Sequence, residues 1–150
     1  MQTEKPILAI DYGQKRIGLA ISDSKGIVAT PLKVLEITKR RNIDTLIEEI
    51  SELIEEYRVK TILLGLPQIF DESHQASIKK IEKFKNKLSQ VSSLPIIYQD
   101  ESYSTTEAQN MLLSLGQNTK SSRGKIDKIA ATVFLQHFLN SESTKNEKHN

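Results

Sequence analysis

Residues 7–22 read ILAIDYGQKRIGLAIS, two apolar runs separated by a short polar segment that contains glycine. A connection this short makes its flanking strands antiparallel neighbours, so the stretch predicts a β-hairpin with Asp11 at the end of its first strand. A carboxylate beside a core is costly unless a metal ion or hydrogen-bond donors compensate its charge. Asp11 is therefore a candidate site residue. A turn aspartate that bonds its own backbone before Gly13 is the alternative.

Beyond the hairpin, the chain alternates apolar strand-like runs with amphipathic helices. The patterns predict strands at 27–35, 59–64 and 95–99, and helices at 43–57, 74–89, 104–115 and 124–139. Pro31 marks the third strand as an edge strand or as broken. The order βββαβαβαα predicts an α/β fold with one mixed five-stranded sheet and helices on both faces. We expect a single domain over residues 1–140 and a disordered polar tail over residues 141–150.

Composition narrows the chemistry. The 150 residues include no cysteine, so thiolate zinc sites and disulfides are excluded, and a metal would need oxygen or histidine ligands. Mg²⁺ or Mn²⁺ fits such ligands. No apolar run approaches membrane-spanning length, so we expect a cytoplasmic protein. The net charge of +2 does not by itself indicate nucleic acid. The cations of residues 120–128 and 39–41 form two clusters, which could contact phosphate or simply favour solubility.

Three acidic positions fall at the ends of predicted elements. Asp11 ends the first strand, Asp100 and Glu101 end the fifth, and Asp127 lies in the first turn of the last helix. If the first and fifth strands flank the fourth, their ends are roughly 10 Å apart. The small residues 130–131 let the helix approach the sheet. Converging carboxylates repel one another unless cations are present. Two divalent ions held about 4 Å apart are a standard device for phosphodiester hydrolysis.

The chain resembles the YqgF/RuvX family, Holliday junction resolvases and nucleases that mature the small-subunit ribosomal RNA precursor. The motifs that carry the resemblance are Asp11-Tyr12-Gly13, Lys15-Arg16-Ile17-Gly18, Ser22-Asp23, Gly65-Leu66-Pro67, Asp100-Glu101 with Thr105-Thr106, and Lys125-Ile126-Asp127 with Ala130-Ala131. Each motif is weak alone, but together they occur in the family's order over most of residues 7–139. The resemblance implies an RNase H-like fold and a metal-dependent nuclease that processes the 5′ end of the precursor.

The resemblance also implies roles for individual residues. Asp11, Glu101 and Asp127 would be the catalytic carboxylates and the ligands of Mg²⁺ or Mn²⁺. Nucleic-acid contacts would come from Lys15, Arg16, Thr105, Thr106, Lys120, Arg123 and Lys125. Two positions depart from the family. Ser102 replaces the arginine that commonly follows the Asp-Glu pair, and Asp71 is followed by Glu72 where Asp-Gly is usual. Losing an arginine removes a strong phosphate contact.

Alternative functions remain at this stage. The chain could be a Holliday junction resolvase on branched DNA, or a non-catalytic RNA-binding ribosome assembly factor, which Ser102 would suit. An actin- or sugar-kinase-like nucleotide binder would need a second domain that 150 residues do not provide. For partners, structured RNA is favoured over branched DNA and no membrane is expected. We expect a monomer or a weak dimer, since no obvious exposed apolar patch indicates a stable one.

Overall fold

The structure is a computed structural model that describes residues 3–13, 15–66, 72–100 and 123–148, without the side chains of 66, 72–77, 100, 123–128 and 144–148. Its elements are β1 (Ile7–Tyr12), β2 (Arg16–Ser22), β3 (Ala29–Glu36), α1 (Ile43–Glu56), β4 (Thr61–Leu66), α2 (Glu72–Val91), β5 (Ile96–Asp100) and α3 (Arg123–Lys148). The helix predicted at 104–115 lies outside the described residues.

The five strands form one mixed sheet in the order β3-β2-β1-β4-β5. β2 pairs antiparallel with both β1 and β3, whereas β4 pairs parallel with both β1 and β5. The α/β fold predicted from the sequence, with a mixed five-stranded sheet, is therefore confirmed. β4 also lies between β1 and β5, so the ends of β1 and β5 are two strand spacings apart, as expected for the acidic residues at these ends.

Alternate residues of the central strand β1 pack into two different cores. Leu8 points to the face covered by α1 and α2, where it shares a core with Phe84. Ala9 points to the other face, where it packs in a core with Phe134 of α3. Residues 7–10 are completely buried because helices cover both faces. Burying a large apolar side chain contributes about 1.5–3 kcal/mol, so these two cores hold the strand ends rigidly in place.

α1 has a defined start and end. The side-chain oxygen of Asn42 accepts a hydrogen bond from the Thr45 backbone N–H at 3.0 Å, which caps the first turn. At the other end, Arg58 adopts φ 53° and the Val59 N–H donates to the Ile54 carbonyl at 3.0 Å. These are the features of a Schellman motif, which satisfies the last carbonyls of a helix.

α3 continues to Lys148, beyond the predicted end at residue 139. The structure thus has a helix over residues 141–148, where the sequence predicts a polar, disordered tail. The Glu142 carboxylate accepts hydrogen bonds from the Thr3 backbone N–H and hydroxyl at 3.1 and 2.6 Å, and from Lys5 Nζ at 3.0 Å. These bonds fasten the last turns of the helix to the chain that leads into β1. Among the described residues, no helix is long and apolar enough to cross a membrane.

A second anchor fixes the direction of α3 across the sheet. The Gln136 side chain accepts from the Ala29 N–H and donates to the Ile27 carbonyl, both at 2.9 Å. Ala29 pairs with Ser22, whose hydroxyl accepts from the Ile7 N–H at 2.7 Å. The second half of α3 therefore lies at the amino end of β1, and its first turn lies towards the carboxyl end.

Candidate active site

Asp11 lies at the carboxyl end of β1 between two glycines. It pairs with Gly18 of β2. One residue beyond the last β1–β4 pair, Ile10 with Leu64, it comes level with Gly65 of β4. Residues directly opposite one another in a sheet share a face. Both residues are buried, and as glycines they have no side chain. The nearest cross-strand neighbours of the carboxylate therefore contribute no side chain beside it, as a site for an ion or a phosphate oxygen requires.

The alternation along β1 places Asp11 on the face that α3 covers. Ile7 and Ala9 belong to the core with α3, and side chains two residues apart in a strand point the same way. Asp11 itself is partly buried. A partly buried carboxylate needs donors or cations around it, so its position suits a site better than an ordinary surface turn.

Gln99 is a site neighbour that sequence reasoning missed. It pairs with Gly65 of β4, and it is partly buried. Ile97, two residues earlier on β5, packs against the core with α3, so Gln99 lies on the same face as Asp11. The two residues are separated by two strand spacings, roughly 10 Å, and Gly65 of β4 lies between them in the sheet. The alternation of β5 could have revealed this, but only once the register with β4 was known.

Tyr12, next to Asp11, points to the opposite face of the sheet. Its ring packs on Phe84 of α2 with 4.9 Å between ring centroids. Burial raises the pKa of the Tyr12 hydroxyl above its ordinary value, so the residue stays protonated at neutral pH. Tyr12 therefore anchors the end of β1 and does not act as a base at the site.

The turn after Tyr12 presents two cations at the same edge of the sheet. The Gly13 N–H donates to the Arg16 carbonyl at 2.9 Å. A Cβ atom at residue 13 would lie 2.7 Å from that carbonyl oxygen, so the turn requires glycine. Lys15 is exposed, and Arg16 Nε lies 3.9 Å from a carboxylate oxygen of Glu36. Both predicted phosphate contacts in this turn thus lie beside the end of β1.

The backbone of Asp127 lies just beyond the first turn of α3, because the helix begins at Arg123 and not at residue 124 as predicted. A helix rises about 1.5 Å per residue and a strand about 3.3 Å. The helix from Asp127 to Gln136 therefore spans roughly 13 Å, and the strand from Ile7 to Asp11 spans about the same. Because Gln136 is anchored near the level of Ile7, Asp127 comes near the level of Asp11. The anchor at Gln136 thus supports the expectation that the start of α3 approaches the end of β1.

The remaining predicted site residues are not brought together by the described part of the chain. Glu101, Thr105, Thr106 and Lys120 lie outside the described residues. The side chains of Arg123, Lys125 and Asp127 are not described, although their backbone begins α3. Within the described ranges, no group of three histidine, cysteine or acidic residues is placed to hold a metal ion. Asp11 is the predicted ligand whose side chain the structure describes.

Comparison with known proteins places these features in a family. Residues 5–141 match the family model described as "RuvX: Holliday junction resolvase". A protein of Rickettsia typhi named "Putative pre-16S rRNA nuclease" is 38% identical over 136 residues, which cover 91% of this chain and 85% of the relative. A protein of Crocosphaera subtropica with the same name is 35% identical over 132 residues, which cover 88% and 90%. The resemblance that the motifs indicated is confirmed.

Two solved structures share the fold. Thermus thermophilus RuvC in complex with a Holliday junction substrate superimposes with a TM-score of 0.63 at 12% identity, covering 92% of this chain and 95% of that one. Fowlpox virus resolvase, in complex with Holliday junction DNA, gives a TM-score of 0.54 at 14% identity, covering 91% and 98%. At identities this low, the similarity concerns the fold alone. The shared fold confirms the predicted RNase H-like architecture.

Proposed function

The chain belongs to the RuvX family, and we propose that it is a metal-dependent nuclease that processes the 5′ end of the small-subunit ribosomal RNA precursor. One observation carries the proposal. The Asp11 carboxylate is partly buried at the carboxyl edge of the sheet, between Gly18 and Gly65, near the level of the start of α3. The names of the relatives in Rickettsia typhi and Crocosphaera subtropica support the choice of ribosomal RNA precursor as substrate.

The donors at this edge fit Mg²⁺ or Mn²⁺. The chain has no cysteine, and the glycines on both sides of Asp11 leave space beside its oxygens. Hard divalent cations prefer carboxylate oxygens of this kind. Asp11, Glu101 and Asp127 would hold the ions, with Asp11 as the central ligand. Divalent cations bound there supply activation of the attacking water and stabilisation of the leaving oxygen.

The chain's own residues position the substrate. Lys15 and Arg16 extend from the turn beside Asp11 and would hold a phosphate against the open edge of the site. Thr105, Thr106, Lys120, Arg123 and Lys125 would complete the contacts to the backbone. Cations and hydroxyl donors that contact the scissile phosphate would restrain it for in-line attack, which is the main contribution a protein makes to such a reaction.

The test replaces Asp11 with Asn, which removes a charged ligand at almost constant volume. The matched control is Asp23→Asn, the same chemical change in the β2–β3 turn at the opposite end of the sheet. There, the remaining side-chain oxygen can still accept from the Ile27 and Val28 N–H groups, as Asp23 does. We expect Asp11→Asn to abolish Mg²⁺- or Mn²⁺-dependent cleavage of a ribosomal RNA precursor, with melting temperature unchanged. Cleavage at the wild-type rate in a folded Asp11→Asn protein would contradict the proposal.

A second substrate is favoured by a specific observation, since the family model carries the name of a Holliday junction resolvase. The same preparation should therefore be tested on a four-way DNA junction. Cleavage of the junction alone would indicate a resolvase. Metal-independent RNA binding without cleavage of either substrate would indicate an assembly factor, the alternative that Ser102 suggests.

A further inference from the structure

The loop that joins β3 to α1 brings three consecutive cations to the edge where Asp11 lies. Lys39, Arg40 and Arg41 are all exposed. The loop starts beside the β1–β2 turn, because the Ile37 N–H donates to the Lys15 carbonyl at 2.9 Å. Chain segments far apart in sequence thus meet at one edge of the sheet.

This loop has a defined shape. The Thr38 N–H donates to the Arg41 carbonyl and the Arg41 N–H donates to the Thr38 hydroxyl, each at 3.0 Å. Lys39 and Arg40 occupy the tip of the turn that these bonds close. The Arg41 guanidinium pairs with Glu49 of α1, which also accepts from Lys33 Nζ of β3 at 2.6 Å. One carboxylate therefore fastens the loop to both the helix and the sheet.

The charge of this edge is unbalanced in the described part of the chain. The β1–β2 turn and the β3–α1 loop carry Lys15, Arg16 and residues 39–41. Of these, Arg16 lies near Glu36 and Arg41 pairs with Glu49. Within the described residues, Lys39 and Arg40 have no hydrogen-bond or ion-pair partner. A surface with this excess of fixed positive charge attracts a polyanion and releases its counterions on binding.

The distance from Asp11 to the loop tip sets the scale of the contact. Asp11 is level with Gly18, which pairs with Val34 of β3, two strand spacings or roughly 10 Å away. Residues 39–40 follow several positions beyond Val34, so the tip lies roughly 15–20 Å from Asp11. At 3.4 Å per base pair, this corresponds to about five steps of a duplex.

We propose that Lys39 and Arg40 bind the phosphate backbone of the substrate about five base pairs from the scissile phosphate, on the β3 side of the site. This surface gives the enzyme a second hold on a paired arm of its substrate. It rests on the proposed nuclease function only for the position of the scissile phosphate, because the charge and the loop geometry are independent of the chemistry at Asp11.

The experiment compares Lys39→Ala/Arg40→Ala with Lys25→Ala/Lys60→Ala. The control removes the same charge from exposed positions at the opposite edge of the sheet. Binding of a fluorescent RNA duplex is measured by anisotropy over a salt titration. We expect the affinity of Lys39→Ala/Arg40→Ala to fall about tenfold, and the magnitude of its log–log salt slope to fall by up to about two. The control should match the wild type.

Cleavage assays then test how far from the scissile phosphate this contact lies. Lys39→Ala/Arg40→Ala should lower kcat/KM on a substrate with a paired arm of roughly ten base pairs, but not on one whose arm is shorter than about five. Wild-type affinity and salt slope in this variant, or an equal loss in the control, would overturn the proposal. Retained cleavage in Asp11→Asn would instead overturn the nuclease mechanism and leave the binding result standing, so the two failures are distinguishable.

Discussion

Replacing Glu142 with Ala should lower the free energy of unfolding by about 2–4 kcal/mol. The carboxylate accepts three hydrogen bonds from Thr3 and Lys5, two of them at 3.0 Å or less. The Lys5 side chain is only 10% exposed and that of Glu142 is 19% exposed, so solvent screens the pair weakly. Without the carboxylate, the Lys5 ammonium group stays largely buried with its partner removed, and this contributes most of the cost.

The assay is urea and thermal unfolding followed by circular dichroism. For a chain of this length, a loss of this size lowers the melting temperature by roughly 5–12 °C. Glu55→Ala is the matched control, because it removes an exposed glutamate from α1. A loss in Glu142→Ala no larger than in the control would refute the role of Glu142 in anchoring the last turns of α3 to the chain before β1.

The same residue predicts a pH dependence. Burial raises the pKa of the Glu142 carboxyl, but the hydrogen bonds from Thr3 and Lys5 outweigh it and hold the pKa below its ordinary value. A carboxyl with a lowered folded-state pKa stabilises the fold above its unfolded pKa, and that stability is lost as the pH falls through the folded pKa. The stability difference between wild type and Glu142→Gln should therefore be full at neutral pH and shrink on acidification. A difference that grows on acidification would contradict this assignment.

Two further predictions concern the surroundings of Asp11. Gly65→Val should lower cleavage at least about tenfold while preserving the circular dichroism spectrum. A branched side chain suits a strand, but at this position it would lie between Asp11 and Gln99. Full activity in a folded variant would contradict the proposed position of the site. Phe84→Ala should cost about 3–5 kcal/mol in urea unfolding, since the ring is 1% exposed and supports Tyr12; a loss below about 1 kcal/mol would show that this packing does not stabilise the end of β1.

The fold could be predicted because the hydrophobic pattern and the connections agree. The short connection after β1 indicated antiparallel pairing with β2, and the helical crossovers indicated parallel pairing of the later strands. Pro31 indicated an edge strand, and β3 is one. The register between β2 and β3 also shifts between Leu19 and Ala20, and Ala20 is the partner of Pro31. Proline has no backbone N–H to donate to a neighbouring strand, so a local disturbance of the pairing could be predicted from the sequence.

Element ends were predicted less well where backbone geometry or distant contacts decide them. The apolar run placed the start of β4 at Val59, but the strand begins at Thr61 because the Val59 N–H closes α1. Arg58 holds the left-handed conformation that glycine usually adopts at a helix end, so this end could not be recognised from the residue type. Glu142 extends α3 through partners 137 and 139 positions away, which no local pattern contains.

The candidate site stays a prediction, and the structure adds the surroundings of Asp11. The position of Asp11 at a strand end follows from the apolar run before it. The glycines that flank it are neighbours only through the register of β1 with β2 and β4, which a single sequence does not contain. The roles of Glu101 and Asp127 stay predictions, because the described side chains include neither.

The anchoring of Gln136 has a consequence for how the molecule behaves among its own copies. An edge strand offers free backbone donors and acceptors to any other chain that can pair with it. At the start of β3, the side-chain amide of Gln136 already occupies the Ala29 N–H and the Ile27 carbonyl, and Pro31 has no N–H to offer. Ile27 and Val28 are 62% and 52% exposed, so an unprotected edge here would favour aggregation. Gln136, which orients α3, thus also occupies backbone groups through which this exposed apolar segment could pair with a strand of another copy.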